Sequence, residues 1–532
     1  MIQARFLVVV VVFIYSSLSL AENVSELGAV KVIGSSEAEL VQPNSAHFIS
    51  KEQLEQQQQS DVTRILKQVP GVYVQEEDGF GLRPNIGLRG THPHRSRKVV
   101  ILEDGILIGP APYSAPAAYY TPFMSKIESL EVFKGVASVS YGPNSIGGAI
   151  NYLTRSLPAK DNVELELAGG SYNTQKYRAL VSTVWEQGRL LLEGTRLQTD
   201  GYKKLDTGRD TGFAKNDFLL KGEQRLPGDK PQALEWKVGY ATELSDETYL
   251  GLSLNDFDTS PYRRYAASEN DLMDWQHQQY QLSYKLQALE NWGVWTTLYH
   301  HKFHRDWSRL NNFRNTAISI SDVLKNPTAG ANQLYYDILT GAEDSSSVGT
   351  GGDLVIVQNN RYFISQGIQL GSFSSHTVND WTHNVTLGAR LHEDEIRRYH
   401  TEETHSMVGG HLERTADART YTAVNKDKSH VITLTAVDEI HWNALKITLA
   451  SRFENIRYNT DNDLTGASSA RSENIFVPGA GVLYQFNDSW TGLVGVNRGY
   501  TVSGPSAGDS EKPEESINYE AGLRFTQGAQ RV

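Results

Sequence analysis

Residues 130–151 read LEVFKGVASVSYGPNSIGGAIN, and this stretch decides the fold that we predict. Its β-forming residues fall in two short runs and include Val132, Val136, Val139 and Ile150. Between them stand glycines, at positions where a strand must turn or another backbone must come close: Gly135, Gly142, Gly147 and Gly148. The pattern predicts two short strands and tight turns in the interior of a compact unit.

Three earlier pieces share this character. They read ILKQVPGVYV (65–74), NIGLRG (85–90) and VVILEDGILIG (99–109). In the third, Asp104 and Gly105 lie between two apolar arms, which predicts a β-hairpin with a two-residue turn. Upstream, Ser50 with Gln53 predicts a helix with a capping box, and Asp61 predicts the start of a second helix that Pro70 and Gly71 end.

Together these motifs resemble, in order and spacing, the plug domain of the TonB-dependent outer-membrane receptors, over residues 61–155. Within that family the wording THPHRSRKVVILEDGILIGPAPYSAP (91–116) is most similar to the ferric citrate receptor branch. The resemblance implies an all-β transmembrane barrel, antiparallel and of about 22 strands when complete. An N-terminal α+β plug domain would lie in its lumen.

Composition excludes several other classes of protein. No apolar run after residue 21 is long enough for a transmembrane helix, and the chain of 532 residues contains no cysteine. A net charge of −12 argues against a nucleic-acid partner. No HExxH spacing is present, and a plug-like segment has no use in a barrel enzyme, so we predict no enzyme, no catalytic residue and no resident cofactor.

The N-terminus carries export signals. Residues 1–21 have a charged start, an apolar core and a small-residue end, and predict a cleaved signal peptide. In residues 22–45 the run LGAVKVI occupies the position of the family's TonB box, the segment that would add as a strand to an energy-transducing partner. Its residues are Leu27, Gly28, Ala29, Val30, Lys31, Val32 and Ile33.

From residue 159 to 532 apolar and polar residues alternate, as in a barrel wall that follows a plug at 46–158. In ALEWKVGYATEL, for example, Trp236 and Val238 point one way while Glu235 and Lys237 point the other. Short turns near residues 187, 229, 292 and 488 alternate with long polar segments, as in outer-membrane barrels. We predict long loops at 198–216, 245–275, 305–360, 393–428, 458–474 and 501–516. Aromatic girdles would contain Trp185, Trp275, Trp295, Tyr299, Trp442 and Trp490.

The length after the plug has room for about 15 or 16 strands at the usual spacing. The sequence also ends at Arg531 and Val532, without the terminal aromatic residue of the family. We therefore expect a C-terminal truncation of about six strands. Such a fragment would not assemble alone, since lipid cannot satisfy an open sheet edge.

Histidines are the first candidates for metal binding. His300, His301 and His304 lie on one predicted strand, where only His300 and His304 share a face. We expect polar lumen or rim residues here and no protein metal site.

Arginines are better ligand candidates, because guanidinium groups bind the carboxylates of an anionic ferric chelate. By the resemblance, the plug loop with Arg95 and Arg97 faces outward, as does the apex with Tyr113. The predicted ligand-binding residues are Arg95, Arg97, Tyr113, His92, His94 and Arg305, with Arg309 nearby. An alternative is that Arg95 and Arg97 only solvate a loop or pair with acids of the barrel.

The resemblance also implies a latch between plug and barrel. Arg89 and Lys134 match basic residues that the family buries against acids of the barrel wall. Glu520 is the predicted acid, provided that Tyr519 and Leu523 face lipid. Removing one partner of such a pair destabilises the protein, because the other charge stays buried without a partner.

The expected function is uptake of a ferric chelate, citrate or a related siderophore, across the bacterial outer membrane. Expected partners are a TonB-ExbB-ExbD type complex, the chelate and outer-membrane lipid, with the receptor as a monomer and iron carried as cargo. Alternatives are another cargo, such as cobalamin, zinc or a sugar, and a passive porin or adhesin.

Overall fold

A computed structural model describes residues 45–508, 511–527 and 530–531. The signal peptide and the TonB box predicted from the sequence lie outside these residues. Two separate sheets dominate: a small one of five strands and a long one of 16 strands. No helix in the described part of the chain is long and apolar enough to cross a membrane.

The plug is the N-terminal unit that contains the small sheet. Its elements are β1 (Ala46–Ile49), α1 (Lys51–Gln57), α2 (Val62–Leu66), β2 (Val72–Val74), β3 (Ile86–Leu88), β4 (Val99–Glu103), β5 (Ile106–Leu107), β6 (Ile127–Phe133) and β7 (Gly148–Thr154). The strand order is β1-β6-β7-β4-β5, and β4 and β7 run parallel while the other neighbours are antiparallel. The plug thus has the predicted α+β character.

The turns that the local sequence predicts are present in the structure. Asp104 and Gly105 both have positive φ, 51° and 78°, and connect β4 to β5 in the predicted two-residue hairpin. At Gly148 the φ is 136°, and a Cβ would lie 2.2 Å from the Phe133 carbonyl oxygen. The stretch 130–151 therefore contains two paired strands, β6 and β7, whose close approach requires glycine.

Both predicted helix starts are confirmed. Ser50 and Gln53 form a capping box at α1. The Asp61 side chain accepts a hydrogen bond from the Thr63 N–H at the start of α2.

The wall is the long antiparallel sheet. Its strands are β8 (Asn162–Gly170), β9 (Thr174–Trp185), β10 (Gly188–Thr199), β12 (Phe213–Arg225), β13 (Gln232–Ser245), β15 (Leu272–Leu289), β16 (Trp292–Phe313), β17 (Leu354–Val378), β18 (Trp381–Val408), β19 (His411–Arg414), β20 (Thr420–Trp442), β21 (Leu445–Asn462), β22 (Ala467–Gln485), β23 (Trp490–Thr501), β24 (Glu514–Gln527) and β25 (Gln530–Arg531). Sequence neighbours pair along the sheet, from β8 at one edge to β25 at the other. Short strands β11 (Lys204–Leu205) and β14 (Arg263–Arg264) pair with each other in the loops.

The two ends of the wall differ as predicted. At the turn end, connections are short, such as residues 186–187, 290–291 and 379–380. At the loop end most connections are longer, although residues 171–173 and 463–466 are short, and residues 246–271 and 314–353 carry helices. These helices are α3 (Leu254–Thr259), α4 (Ile320–Lys325) and α5 (Asn332–Thr340).

Three of the predicted loops overlap the observed strands by many residues. The ranges 305–360, 393–428 and 458–474 contain strand residues: β16 continues to Phe313, β18 to Val408 and β21 to Asn462. These extensions carry polar residues on both faces, so hydropathy does not mark them as strands. Since about 9–11 residues suffice to cross lipid, strands such as β18, with 28 residues, extend beyond it.

Successive side chains along each wall strand point alternately into the lumen and toward the outer surface. On β16, Tyr299, His301 and Phe303 are buried toward the plug, while Leu298 is 48% exposed on the outer face. The predicted girdle is correct for exposed Trp185, Trp442 and Trp490 but wrong for Trp275 and Tyr299, which are buried in the lumen. These two residues occupy positions whose side chains point into the lumen. The aromatic residue type alone therefore did not show which face of the wall it lies on.

The plug lies inside the curve of the wall. One apolar cluster joins plug residues such as Leu130 and Tyr120 to Trp275, Phe303 and Phe363 of the wall. A second joins Val136 and Val139 to Val477. The plug and the wall are therefore distinct sheets with a shared packed interface.

Candidate functional site

Arginines converge where the plug reaches the loop end of the wall. Arg305 on β16 and Arg361 on β17 are directly opposite each other in the strand register. Arg95 and Arg97 approach from the plug, and Tyr119 of the plug lies among all four guanidinium groups. We call these four arginines the arginine mouth.

Arg305 is the most deeply placed of the four. Its side chain is fully buried, with the guanidinium carbon 4.2 Å from the centre of the Tyr119 ring. Nη2 donates a hydrogen bond of 3.4 Å to the Asn359 carbonyl. Nε and Nη1 have no hydrogen-bond partner among the described residues. A buried cation with free donors and no paired acid is costly unless an anion joins it.

The pKa of Tyr119 reports the positive potential of the mouth. Burial alone would raise the pKa of this phenol. The charges of Arg305, Arg361, Arg95 and Arg97 act the other way and lower the pKa from 10.0 to about 8. The site therefore favours negative charge at the Tyr119 hydroxyl.

Arg95 and Arg97 play different parts. Arg95 is buried and forms two hydrogen bonds to the Glu77 carboxylate, of 2.6 and 2.9 Å. Arg97 is exposed, and its guanidinium forms no ion pair or hydrogen bond within the described ranges. The two interpretations of these arginines therefore apply to different residues. Arg95 pairs with an acid, although that acid belongs to the plug and not to the barrel, whereas Arg97 is free to bind a ligand.

The predicted histidines lie at the rim. His92 and His94 are exposed, with ring centres 6.3 Å apart. Burial, then the charges of Arg95 and Arg97, lower the pKa of His94, so this ring is neutral at neutral pH. Arg309 is one layer further out on β16, with its guanidinium carbon 4.7 Å from the centre of the Tyr249 ring.

Tyr113 lies apart from the mouth. It is fully buried, and its hydroxyl donates a hydrogen bond of 2.8 Å to Glu454 of the wall. Its backbone N–H donates to Asp394, at 2.7 Å, and its hydroxyl accepts from Arg390 at 2.8 Å. The geometry gives this residue a plug–wall contact in place of the ligand contact that we predicted, because the apex folds against the wall.

The predicted latch brings Arg89 and Glu520 into contact. Glu520 faces the lumen, with Tyr519 and Leu523 exposed on the other face, as the alternation requires. Lys134 donates a hydrogen bond to the Pro70 carbonyl within the plug.

A larger set of plug–wall ion pairs was not predicted. Lys237 on β13 donates to Glu103 and Asp104 of the plug hairpin, at 2.9 and 2.8 Å. Lys126 of the plug donates to Asp217 on β12, at 3.0 Å. We call these five residues the latch network.

Glu103 of the latch network is stabilised in its charged form. Burial tends to raise the pKa of Glu103, but the ammonium groups of Lys126 and Lys237 outweigh it and lower the pKa to about 2. The only sequence signal was the inward position of Lys237 on its strand, since its partners lie 134 and 133 residues away.

The strand histidines divide as predicted. His301 faces the lumen and is buried, while His300 and His304 face outward against Gln366 and Asn360. Within the residues that the structure describes, no three His, Asp or Glu side chains are grouped to hold a metal ion.

Family models match most of the chain. One, described as the TonB-dependent receptor plug domain, matches residues 39–149. Another, described as TonB dependent receptor-like beta-barrel, matches residues 192–532.

Curated relatives match shorter parts of the chain. The Vitamin B12 transporter BtuB of Vibrio vulnificus is 28% identical over 183 residues, which are 34% of this chain and 29% of that protein. The transporter of the same name from Photobacterium profundum is 27% identical over 231 residues, 42% of this chain and 35% of that protein. The match thus spans about a third of the length of these relatives.

Solved structures match nearly the whole chain. The unliganded ferric citrate transporter FecA superimposes with a TM-score of 0.75 at 19% identity, covering 93% of this chain and 70% of that one. The siderophore receptor PiuA from Acinetobacter baumannii gives 0.69 at 14% identity, with coverage of 94% and 73%. At such identities the likeness is one of fold.

Proposed function

Since the chain belongs to the TonB-dependent receptors of the bacterial outer membrane, we propose that it imports a ferric chelate rich in carboxylates, such as ferric citrate, into the periplasm. The loop end of the wall is then the extracellular end and the turn end the periplasmic one. Iron is carried as cargo inside the chelate, and the protein needs no resident cofactor.

The arginine mouth carries this proposal. Arg305 is buried with two donor nitrogens free of partners in the described part of the chain, and Arg97 lacks an acid there as well. Guanidinium groups bind carboxylates with paired, charge-assisted hydrogen bonds. An anionic chelate would supply the acceptors that these residues lack.

Residues of the plug would then couple binding to transport. Arg95 and Tyr119 contact the mouth and belong to the plug, so a chelate seated there touches both the plug and the wall. Binding shifts the plug, and the segment 27–33 pairs as a strand with a TonB-ExbB-ExbD type partner. Energy from the inner membrane then opens the lumen of a monomeric receptor.

Cobalamin is the second candidate, because the curated relatives described above are named vitamin B12 transporters. Cobalamin carries amides where citrate carries carboxylates, so it would not use the free guanidinium donors in the same way. A passive porin or adhesin fits less well, because the plug fills the lumen.

Cargo competition tests the proposal. Cells that produce the full-length version of the receptor are given radiolabelled ferric citrate or labelled cobalamin, with and without a protonophore. We expect uptake of ferric citrate that the protonophore abolishes and that excess cobalamin does not inhibit. Energy-dependent uptake of cobalamin alone would replace the iron assignment, and uptake that ignores the protonophore would indicate a passive channel.

A further inference from the structure

A cavity of about 650 Å³ lies between the plug and one side of the wall. The plug contributes the hairpin turn at Asp104 and Gly105 and the segment from Val136 to Tyr141. Lining residues such as Gln287, Val294 and Asn384 are within a few positions of the short turns. The cavity therefore reaches toward the turn end of the wall.

Hydroxyl and amide side chains line part of the wall side of this cavity and include Ser283, Thr297, Gln369, Thr433, Thr435 and Thr448. Charged side chains such as Glu223 and Lys285 and apolar ones such as Trp295 line it as well. Uncharged polar groups can replace water around a polar cargo without holding it by paired charges, so the hydroxyl-lined part on β16 and β17 suits a path.

The cavity lies on the same two strands as the arginine mouth. Arg305 and Arg361 are register partners, and so are Thr297 and Gln369, eight residues further along each strand. An even offset keeps the side chains on the lumen face, and eight residues extend about 26 Å. The mouth and the cavity are thus two ends of one track along β16 and β17.

An apolar and aromatic band separates the two ends. Phe303 and Phe363, also register partners, pack against the plug together with Trp275. Below them His301 and Ser365 are partners, and the His301 Nδ1 and the Ser365 Oγ have no hydrogen-bond partner in the described residues. We call these four residues of β16 and β17 the seal.

The strands that flank the seal hold the plug much more firmly. On one side Gln279 of β15 donates a hydrogen bond of 2.7 Å to Glu103, and Lys237 of β13, the next strand, pairs with Glu103 and Asp104. On the other, Asp394 of β18 accepts hydrogen bonds from the backbone of Tyr113 and Ser114. Among the described residues, the seal itself contributes no hydrogen bond or ion pair to the plug. The plug can therefore part from the wall at the seal without exposing a buried charge.

We propose that cargo leaves the arginine mouth along β16 and β17, through the seal and into this cavity, by a one-sided opening between plug and wall. The proposal rests on the import function proposed above and adds its route. The plug stays attached to β12 and β10, three and four strands from β16, where Lys126 pairs with Asp217 and Ser125 bonds to Thr195.

Single cysteines test the route, because the chain has none of its own. Ser365→Cys reports on the seal, Thr297→Cys on the cavity and Thr195→Cys on the contact between the plug and β10. Ile364→Cys and Leu298→Cys are matched controls, one position along the same strands and facing outward. Labelling by a small anionic maleimide is compared in energised and protonophore-treated cells, without cargo, with ferric citrate and with cobalamin.

We expect Thr297→Cys to be labelled in both states. Ser365→Cys should be labelled at least about tenfold faster in energised cells with cargo, as for a local opening, while Thr195→Cys stays slow. Unchanged labelling of Ser365→Cys would overturn the route, and so would equal acceleration at Thr195→Cys, which would mean that the whole plug leaves. Ferric citrate uptake by the parent receptor is measured in the same experiment. A wrong cargo assignment is thereby distinguished from a wrong route.

A bulky maleimide adduct provides the second readout. On Thr297→Cys it should block uptake and leave binding at the mouth unchanged, whereas the same adduct on Leu298→Cys should affect neither. Uptake that continues past a fully modified Thr297→Cys would contradict the route even if the seal is labelled as expected.

Discussion

The arginine mouth and the latch network use the same kinds of charged residue to opposite effect. In the latch network, Lys237 contacts both Glu103 and Asp104, and Lys126 contacts Asp217, so every charge has a buried partner. In the mouth, four guanidinium groups surround Tyr119, and only Arg95 has an acid at hydrogen-bond distance among the described residues. The balance of cations and acids, more than burial itself, separates a cluster that holds the plug from one that attracts a ligand.

Removing the central lysine of the latch network should give the largest effect. Lys237→Met removes the cation that contacts both Glu103 and Asp104, and only Lys126, at 3.8 Å, remains beside Glu103. Breaking one partner of a buried ion pair costs about 3–5 kcal/mol. We expect the free energy of plug release, from urea titration of the purified receptor in detergent, to fall by that amount. Lys426→Met removes an exposed pair with Asp461 and is the matched control, for which we expect no measurable change. Equal effects would show that Lys237 is not a latch.

Acid should weaken the same network. The pKa of Glu103 is about 2 in the folded protein, below its ordinary value of 4.5. A depressed pKa contributes stability that is present above pH 4.5 and lost as the pH falls toward 2. Plug release should therefore become easier across this window, and Glu103→Gln should show a flatter pH profile. A profile that Glu103→Gln leaves unaltered would contradict the role of this carboxylate.

Arg95 and Arg97 test the comparison within one plug loop. Arg95→Ala removes two hydrogen bonds from the part-buried Glu77 and should destabilise the plug by about 1–3 kcal/mol. Arg97→Ala should change stability by no more than about 0.5 kcal/mol, as at most exposed sites, but should weaken chelate binding a few fold. Both are read by urea titration and by equilibrium binding. If Arg97→Ala binds the chelate as tightly as the parent, Arg97 does not belong to the mouth.

The smallest effect should be a dependence of binding on pH. Because the pKa of Tyr119 is about 8, the phenol becomes an anion above that pH and competes with the chelate for the arginines. A bound anion raises this pKa, so affinity is greatest below pH 8 and falls as the pH rises through it. Tyr119→Phe should remove the decline. The measurement is equilibrium binding of ferric citrate between about pH 7 and 9, and an identical decline in the variant would assign it to another group.

The features that could be predicted from the sequence are those that short stretches of the chain determine. The hairpin at Asp104 and Gly105 follows from a two-residue turn that needs positive φ. The contact of Arg89 with Glu520 came from the family resemblance, and alternation placed Glu520 in the lumen. Such features require few distant contacts.

The rest depends on contacts between residues far apart in the chain. Arg361 was missed because it follows directly after the predicted loop 305–360, on a strand with polar residues on both faces. Tyr119 was missed because Arg305 and Arg361 are far from it in the chain. The contact of Lys237 with Glu103 joins residues 134 positions apart, and only the fold brings them together. Tyr113 was misplaced for the same reason, since its partners Asp394 and Glu454 are in the distant wall.

Equilibrium binding of ferric citrate to Arg305→Gln and Lys237→Met, measured beside the parent receptor, separates the arginine mouth from the latch network. We expect Arg305→Gln to lose affinity by about tenfold or more, which corresponds to about 1.4 kcal/mol or more, with no loss of plug stability. Lys237→Met should lose stability while binding changes little as long as the plug remains seated. Undiminished affinity in Arg305→Gln, or a larger loss of affinity in Lys237→Met, would contradict the division between a mouth that binds and a network that holds.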